Sequence, residues 1–188
     1  MTSYLFLATL IAVFYLIYLY NGIIRGKNSC KRAWADVLTY SQQKLKVVSK
    51  IEEKTKEYKD FEESTLKTIV ELRSRVASIS KEKPNPGLLE ALNKEMSKAM
   101  SALKVSVEEY PELKSSDLYM RVMKEVSEQE ENVAAAIVIF NRNVEGFNNN
   151  IQAFPNVVLN KIMFKEETIN SFKTQEAEKD VEFSPNLG

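Results

Sequence analysis

The stretch Tyr4–Tyr20, YLFLATLIAVFYLIYLY, decides the fold. Thr9 is its one clearly polar side chain, and no charged residue lies between Ser3 and Ile24. As a helix this uncharged run is about 33 Å long, close to the roughly 30 Å of a hydrocarbon core. Phe14, Tyr15, Tyr18 and Tyr20 gather toward its end, as amphipathic rings do at a membrane–water interface. A buried core helix is the plainer alternative, but a small domain seldom buries a helix that is apolar on every side. A cleaved signal peptide wants a basic n-region and a small-residue cleavage site, and neither flanks this run. Residues 1–24 are therefore expected to form an uncleaved transmembrane helix to which everything downstream is anchored.

The flanks set an expected orientation. No Lys or Arg precedes the span, whereas Arg25, Lys27, Lys31 and Arg32 follow it. The positive-inside bias then puts the short N-terminus outside and the C-terminal domain in the cytoplasm of a single-pass protein of the cell membrane. Tyr15, Tyr18, Tyr20, Arg25 and Lys27 are the residues expected at the interface. Cys30 is the single cysteine, so no intramolecular disulfide can form, and a plain thiol is expected there rather than an acylated one.

Composition narrows the chemistry. The 26 basic and 26 acidic residues cancel, which gives no basic footprint for nucleic acid. The chain has no histidine, so the usual di-metal site of helical bundles, built on Glu-x-x-His pairs, is excluded. There is no Gly-rich phosphate loop, no CxxC, and no spacing that pairs a nucleophile with its base. Glu130-Glu131 with Glu108-Glu109 reads as solvated surface rather than as a cation site. No catalytic, cofactor-binding or metal-ligating residue is expected, and the chain is not expected to be an enzyme.

Only five Gly and five Pro punctuate the chain, which favours a few long helices. Apolar residues recur at helical spacing through Trp34, Val37, Leu38, Leu45, Val48, Ile51, Tyr58, Leu66, Ile69, Leu72, Val76 and Ile79. With no Pro or Gly in the way, the pattern predicts one rod over about 28–80, roughly 75 Å long. Gly22 and Gly26 are its only weak points toward the membrane. Lys83-Pro84-Asn85-Pro86-Gly87 must end it. A helix over about 88–109 follows, striped by Leu89, Leu92, Met96, Ala99, Leu103, Val107 and Tyr110. A third runs over about 116–154, capped by Ser116 or Asp117. Its seam is Met123, Val126, Glu130, Val133, Ile137, Phe140, Val144, Phe147, Ile151 and Phe154, a coiled-coil-like three-four alternation. Glu130 is the odd member and needs a partner if buried, with Trp34 and Lys44 as candidates. Pro155 closes this helix. A short capping helix is expected over 157–172, and the polar stretch 173–188 reads as a flexible tail.

The fold class is thus all-α: a transmembrane helix in 1–24 continuing into an elongated antiparallel three- to four-helix bundle over 25–172. The amide run Asn141, Asn143, Asn148, Asn149 and Asn150 is unusual. Asn141 and Asn148 share a helix face, seven residues apart. They are expected to hydrogen-bond across helices and set register, with a ligand-reading amide ladder as the sharper alternative.

The chain resembles the LemA family. The matching residues are Tyr20-Asn21, Asn28, Ala33-Trp34, Asp36-Val37, Tyr110-Pro111-x-Leu113-Lys114, Glu130, Ala134 to Ala136, Asn141, Asn148, Ile151 and Phe154-Pro155. They run in order from about Tyr20 to Phe164. The resemblance implies a single N-terminal anchor, an elongated helical bundle and no defined enzymatic activity. The chain departs from the family at Ser49-Lys50, where a proline-asparagine pair is common, and at Glu57, where glycine is usual. A basic residue is absent near Ile137, and Phe140 and Phe147 stand for tyrosines. Trp34, Asp36, Glu130, Asn141, Asn148, Phe154 and Pro155 are the structural or interaction candidates.

The expected function is a non-enzymatic membrane-anchored scaffold that self-associates through its rod, because three unequal helices leave part of the longest stripe uncovered. The alternative is a membrane-tethered adaptor or sensor that binds a separate protein. The expected partners are the lipid bilayer and a second copy, or in the alternative another membrane or cytoplasmic protein, and no nucleic acid.

Overall fold

In the computed structural model the backbone is described over residues 1–55 and 63–173, and the side chains over 1–50 and 67–173. All regular structure among these residues is helical. The seam positions Ile51, Tyr58 and Leu66, the charged face from Glu52 to Lys59, and the tail 174–188 lie outside the described side chains.

Helix α1 spans Thr2–Thr55 without interruption. Its first part is exposed and long and apolar enough to cross a membrane, with a mean hydropathy of 2.0 and 6% of that window buried. An exposed helix of that composition is no core helix. From Leu19 onward one stripe turns inward: Ile23, Cys30, Trp34, Val37, Leu38, Leu45 and Val48 are all buried.

The rod expected over 28–80 is two helices. α1 ends at Thr55 and α2 spans Glu63–Ala77, packed back along α1. Arg73 donates to Ser49 at 3.3 Å and Trp34 Nε1 to the Ser80 carbonyl at 2.8 Å, so the two run antiparallel. A straight rod would leave Ile69, Leu72, Val76 and Ile79 in water. Folding back buries them in one core with the α1 stripe, an apolar gain of about 1.5–3 kcal/mol per large side chain. Without Pro or Gly there, propensity alone carries no stop signal.

Helix α3, Pro86–Glu108, begins where expected, with Pro86 in the first turn and Asn85 Oδ1 accepting from Leu88 N at 3.1 Å. Its buried face is the predicted one, Leu89, Leu92, Met96, Ala99, Leu103 and Val107. Arg75 pairs with Glu95 across α2 and α3 at 2.5 Å. After the single turn α4, Pro111–Lys114, helix α5 spans Asp117–Gln152 and is capped by Ser116, whose hydroxyl accepts from Tyr119 N. α5 returns along the whole of α1 beyond the span. Lys50–Glu125, Lys44–Glu130, Trp34–Phe140 and Gly26–Phe147 mark successive levels of that antiparallel pair. The exposed Lys50–Glu125 pair contributes well under about 1 kcal/mol and mainly records register, while in the other pair Lys44 is partly buried.

The seam of α5 differs from expectation at four points, with Val122 and Ala136 buried where Met123 and Ile137 were expected and those two only half-buried. Glu130 is exposed rather than buried, because the buried line drifts through Val122, Val126, Val133, Ala136, Phe140, Val144, Phe147 and Ile151. Phe154 lies beyond the helix end and is 85% exposed. Gly22 and Gly26 do not interrupt α1. A Cβ on Gly26 would lie 3.2 Å from Phe147 Cδ2, whereas one on Gly22 meets only Asn150 Nδ2 at 3.9 Å. Phe147 is buried and cannot retreat freely. Gly26→Ala is therefore expected to destabilise by about 1–3 kcal/mol, while Gly22→Ala changes stability by less than about 1 kcal/mol. Thermal unfolding of the two variants side by side checks the contrast.

The capping helix expected over 157–172 is also corrected. One turn, α6 (Asn156–Leu159), passes into a π-helical turn over Asn160–Phe164. Lys165 then takes a left-handed conformation, φ 51°, and the chain runs on without helix to Lys173. A helix rises only about 1.5 Å per residue against about 3.3 Å for extended chain, and only the latter carries Phe172 from the bundle end up to Trp34.

Candidate interaction site

Trp34 joins three parts of the chain. Its indole N–H is satisfied by the Ser80 carbonyl in the α2–α3 connection. Its ring packs against Phe140 of α5 at 5.5 Å and Phe172 at 6.0 Å, and those two meet edge-on at 5.6 Å. All three rings are buried. Of the two partners foreseen for Glu130, Lys44 is the one found, 2.7 Å away.

Phe172 arrives on an extended strap, residues 166–173, lying along α5. An isolated extended segment has no neighbouring strand for its backbone groups. Asn141 and Asn148 take that role. Asn141 accepts from Phe172 N at 2.9 Å and donates to Phe172 O at 3.1 Å. Asn148 accepts from Ile169 N at 3.0 Å and donates to Ile169 O at 2.9 Å. Seven residues on α5 cover about 10.5 Å and three extended residues about 10 Å, so the two spacings match. The cross-helix register role expected of this pair is thus corrected: the two amides bind extended chain, and that chain is the protein's own. Asn160 holds Glu166 by its backbone N–H and C=O at 2.9 Å each, Lys27 pairs with the Glu166 carboxylate at 2.5 Å, and Lys173 N donates to Glu90 Oε1 at 2.8 Å. Ile169 and Phe172, three apart, mimic a helical pattern in sequence. The one signal of the strap was the asparagine pair beside the seam.

On another face of the α1–α5 pair a shallow groove of about 150 Å³ stays open. Ala33, Ala135 and Ala136 form its floor, Asp36, Tyr40 and Asn132 line it, and Ile139 stands at its edge. Val138 and Ile139 are 68% and 56% exposed. Small residues here keep α1 and α5 close, and leave room for another side chain. Asp36 faces this groove rather than the core. Among the described residues no cluster of three or more His, Cys, Asp or Glu side chains is placed to hold a metal ion.

The expected interface residues divide. Tyr15 and Tyr18 are exposed on the apolar part of α1, Tyr20 stacks on Phe164 at 4.9 Å, and Arg25 folds back onto the Asn21 carbonyl at 3.2 Å. Lys27 is turned to the strap. The Phe154–Pro155 bond is cis, Pro155 is half-buried ahead of α6, and Phe154 points outward.

Cys30 is fully buried in the core. Burial pushes its thiol up from 9.0 to about 11, so it stays protonated at neutral pH. The neutral thiol suits the folded state; its contribution is intact below pH 9.0 and is lost as pH rises toward about 11. A maleimide reagent at pH 7.5 is expected to label the folded protein more than about tenfold slower than the denatured chain. Equal rates would show that the thiol is accessible.

The model of the LemA family matches residues 33–184. That stretch takes in Trp34, the whole of α5 and the strap. Protein LemA of Metamycoplasma hominis is 30% identical over 152 residues, which cover 80% of this chain and 68% of that protein. A match over most of the chain, in both comparisons, on the bundle that those residues build means that the protein belongs to the LemA family.

Proposed function

We propose that this protein is a non-enzymatic scaffold, anchored in the cell membrane by the first part of α1, that self-associates through the open α1–α5 face of its bundle. Among the described residues the stripe on which that expectation rested is buried, from Trp34 to Val48 and from Ile69 to Ile79. The observation that carries self-association is instead the alanine-lined groove with Ile139 exposed at its edge. Small residues allow close approach of a second helix, and an exposed isoleucine beside a polar rim suits a modest interface. A two-fold pairing places the same patch of two copies against each other. The basic cluster Arg25, Lys27, Lys31 and Arg32 supports the reading that the bundle lies on the cytoplasmic side.

The test uses Ile139→Cys in the full chain in membranes, where the buried Cys30 serves as a silent background. A short bismaleimide is expected to give a dimer of this chain at position 139 and none at the exposed control Val105→Cys. Ile139→Glu, a surface change costing under about 0.5 kcal/mol of stability, abolishes co-purification of two differently tagged copies. A monomer throughout overturns self-association. A crosslink to a different protein selects the adaptor reading, which is favoured by the fact that a single chain closes its own core.

A further inference from the structure

The geometry points to a second membrane contact, separate from the span: the cap formed by Phe154, α6 and the π-helical turn inserts its apolar face into the interfacial zone of the bilayer beside α1. This rests on the reading of α1 as a membrane anchor. On the cap, Phe154 is 85% exposed, Ile162 70%, Met163 61% and Val158 46%. Four large apolar side chains within ten residues, all turned outward, are costly in water. They sit where water is not expected. α1 and α5 run antiparallel, with Gly26 facing Phe147 and Gly22 facing Asn150. Continuing that pairing past Gln152 brings the cap level with Leu19 and Tyr20. Leu19 is buried to 8% exposure, unlike the residues before it, and Tyr20 stacks on Phe164 at 4.9 Å.

The depth follows from helix geometry. Ile24 is the last residue before charge returns at Arg25, and five residues back along α1 is about 7 Å. Interfacial helices bury their apolar faces about 5–10 Å below the headgroup boundary. The amides of the cap are turned inward: Asn156 donates to Asn150, with its own Oδ1 buried, and Asn160 holds Glu166 through both its amide atoms. What remains outward is apolar, with Lys161 and Lys165 exposed to reach the headgroups. The occupant is therefore lipid at the headgroup–acyl boundary, and the cap fixes the tilt of the bundle against the membrane as a second foot beside α1.

The test uses the full chain reconstituted in phosphatidylcholine–phosphatidylglycerol vesicles. An environment-sensitive NBD fluorophore is attached at Phe154→Cys or Ile162→Cys under native conditions, with the unsubstituted chain as the blank for Cys30. Leu10→Cys reports the anchor and Met120→Cys the far end of α5. Circular dichroism confirms that each labelled variant stays helical. Lipids carrying a shallow doxyl quencher are expected to dim positions 154, 162 and 10 and leave 120 bright. Quenching at 10 with full emission at 154 and 162 overturns the cap contact while the anchor stands. Loss of quenching at 10, 154 and 162 alike overturns both. Protection of 154 and 162 from aqueous iodide without doxyl quenching also overturns it, since a protein then covers the cap.

Discussion

Trp34→Ala is expected to lower the stability of the folded chain by about 3–5 kcal/mol, the range for truncating a large buried aromatic. Three losses combine. The cavity removes ring contacts to Phe140 and Phe172. The Ser80 carbonyl loses its donor, and a partly buried acceptor without one costs about 1–3 kcal/mol. The strap loses the surface on which Phe172 sits. For a chain of this size each kcal/mol moves the melting temperature by about 2–4 °C, so thermal unfolding in mild detergent resolves the effect. Trp34→Phe keeps most of the packing and drops the hydrogen bond, and should cost about 1–3 kcal/mol. If the two variants melt together, packing at Trp34 is not what joins the three parts of the chain.

The double change Asn141→Ala with Asn148→Ala is expected to release the strap while leaving α1, α3 and α5 in place. Four hydrogen bonds are lost, each contributing about 0.5–1.5 kcal/mol net. Because Phe172 still holds one end, the local opening energy of the strap should fall by about 2–4 kcal/mol, which speeds hydrogen exchange at the Ile169 and Phe172 amides on the order of a hundredfold. Trypsin should then cut after Lys165 in the variant before it cuts the parent chain. Asn143→Ala is the control, since that amide only caps the Ile139 carbonyl of its own helix at 2.9 Å. Asn141→Asp is the finer test. It keeps an acceptor for Phe172 N and loses the donor to Phe172 O, so exchange at Phe172 should fall between parent and double variant. Unchanged exchange in the double variant would mean that Phe172 and Ile169 hold the strap by burial alone.

Much of the helical framework is local in origin, which is why it is legible in the residues. The asparagine–proline start of α3, the serine cap of α5 and the buried faces of both depend on residues within a turn or two of each other. The α3 stripe from Leu89 to Val107 is buried as its spacing implies. Departures begin where two distant stretches compete for the same surface. The α5 seam slides off Glu130 because a carboxylate keeps its hydration at the rim and pairs with Lys44 there, while its neighbours turn inward. Phe154 looked like the last seam residue by spacing, yet the helix ends before it and its ring faces outward. Phe140 and Phe147, which stand where tyrosines are usual in the family, carry no hydroxyl that needs a partner and sit fully inside, one on Trp34 and the other over Gly26.

Sequence alone determined the exposed apolar first part of α1, the all-helical class, the stops at Pro84–Gly87 and Pro111, and the family, because hydropathy, periodicity and turn chemistry act over a few residues. Tertiary structure alone decided three things. Helix α2 packs back antiparallel on α1, residues 166–173 run extended, and one face of the α1–α5 pair stays open. Each is a choice between a helix satisfying its own backbone and a distant partner offering more: a second apolar stripe for α2, two asparagine amides and an aromatic pocket for the strap. That balance is set by burial between residues dozens of positions apart, and no short stretch of sequence contains both sides of it.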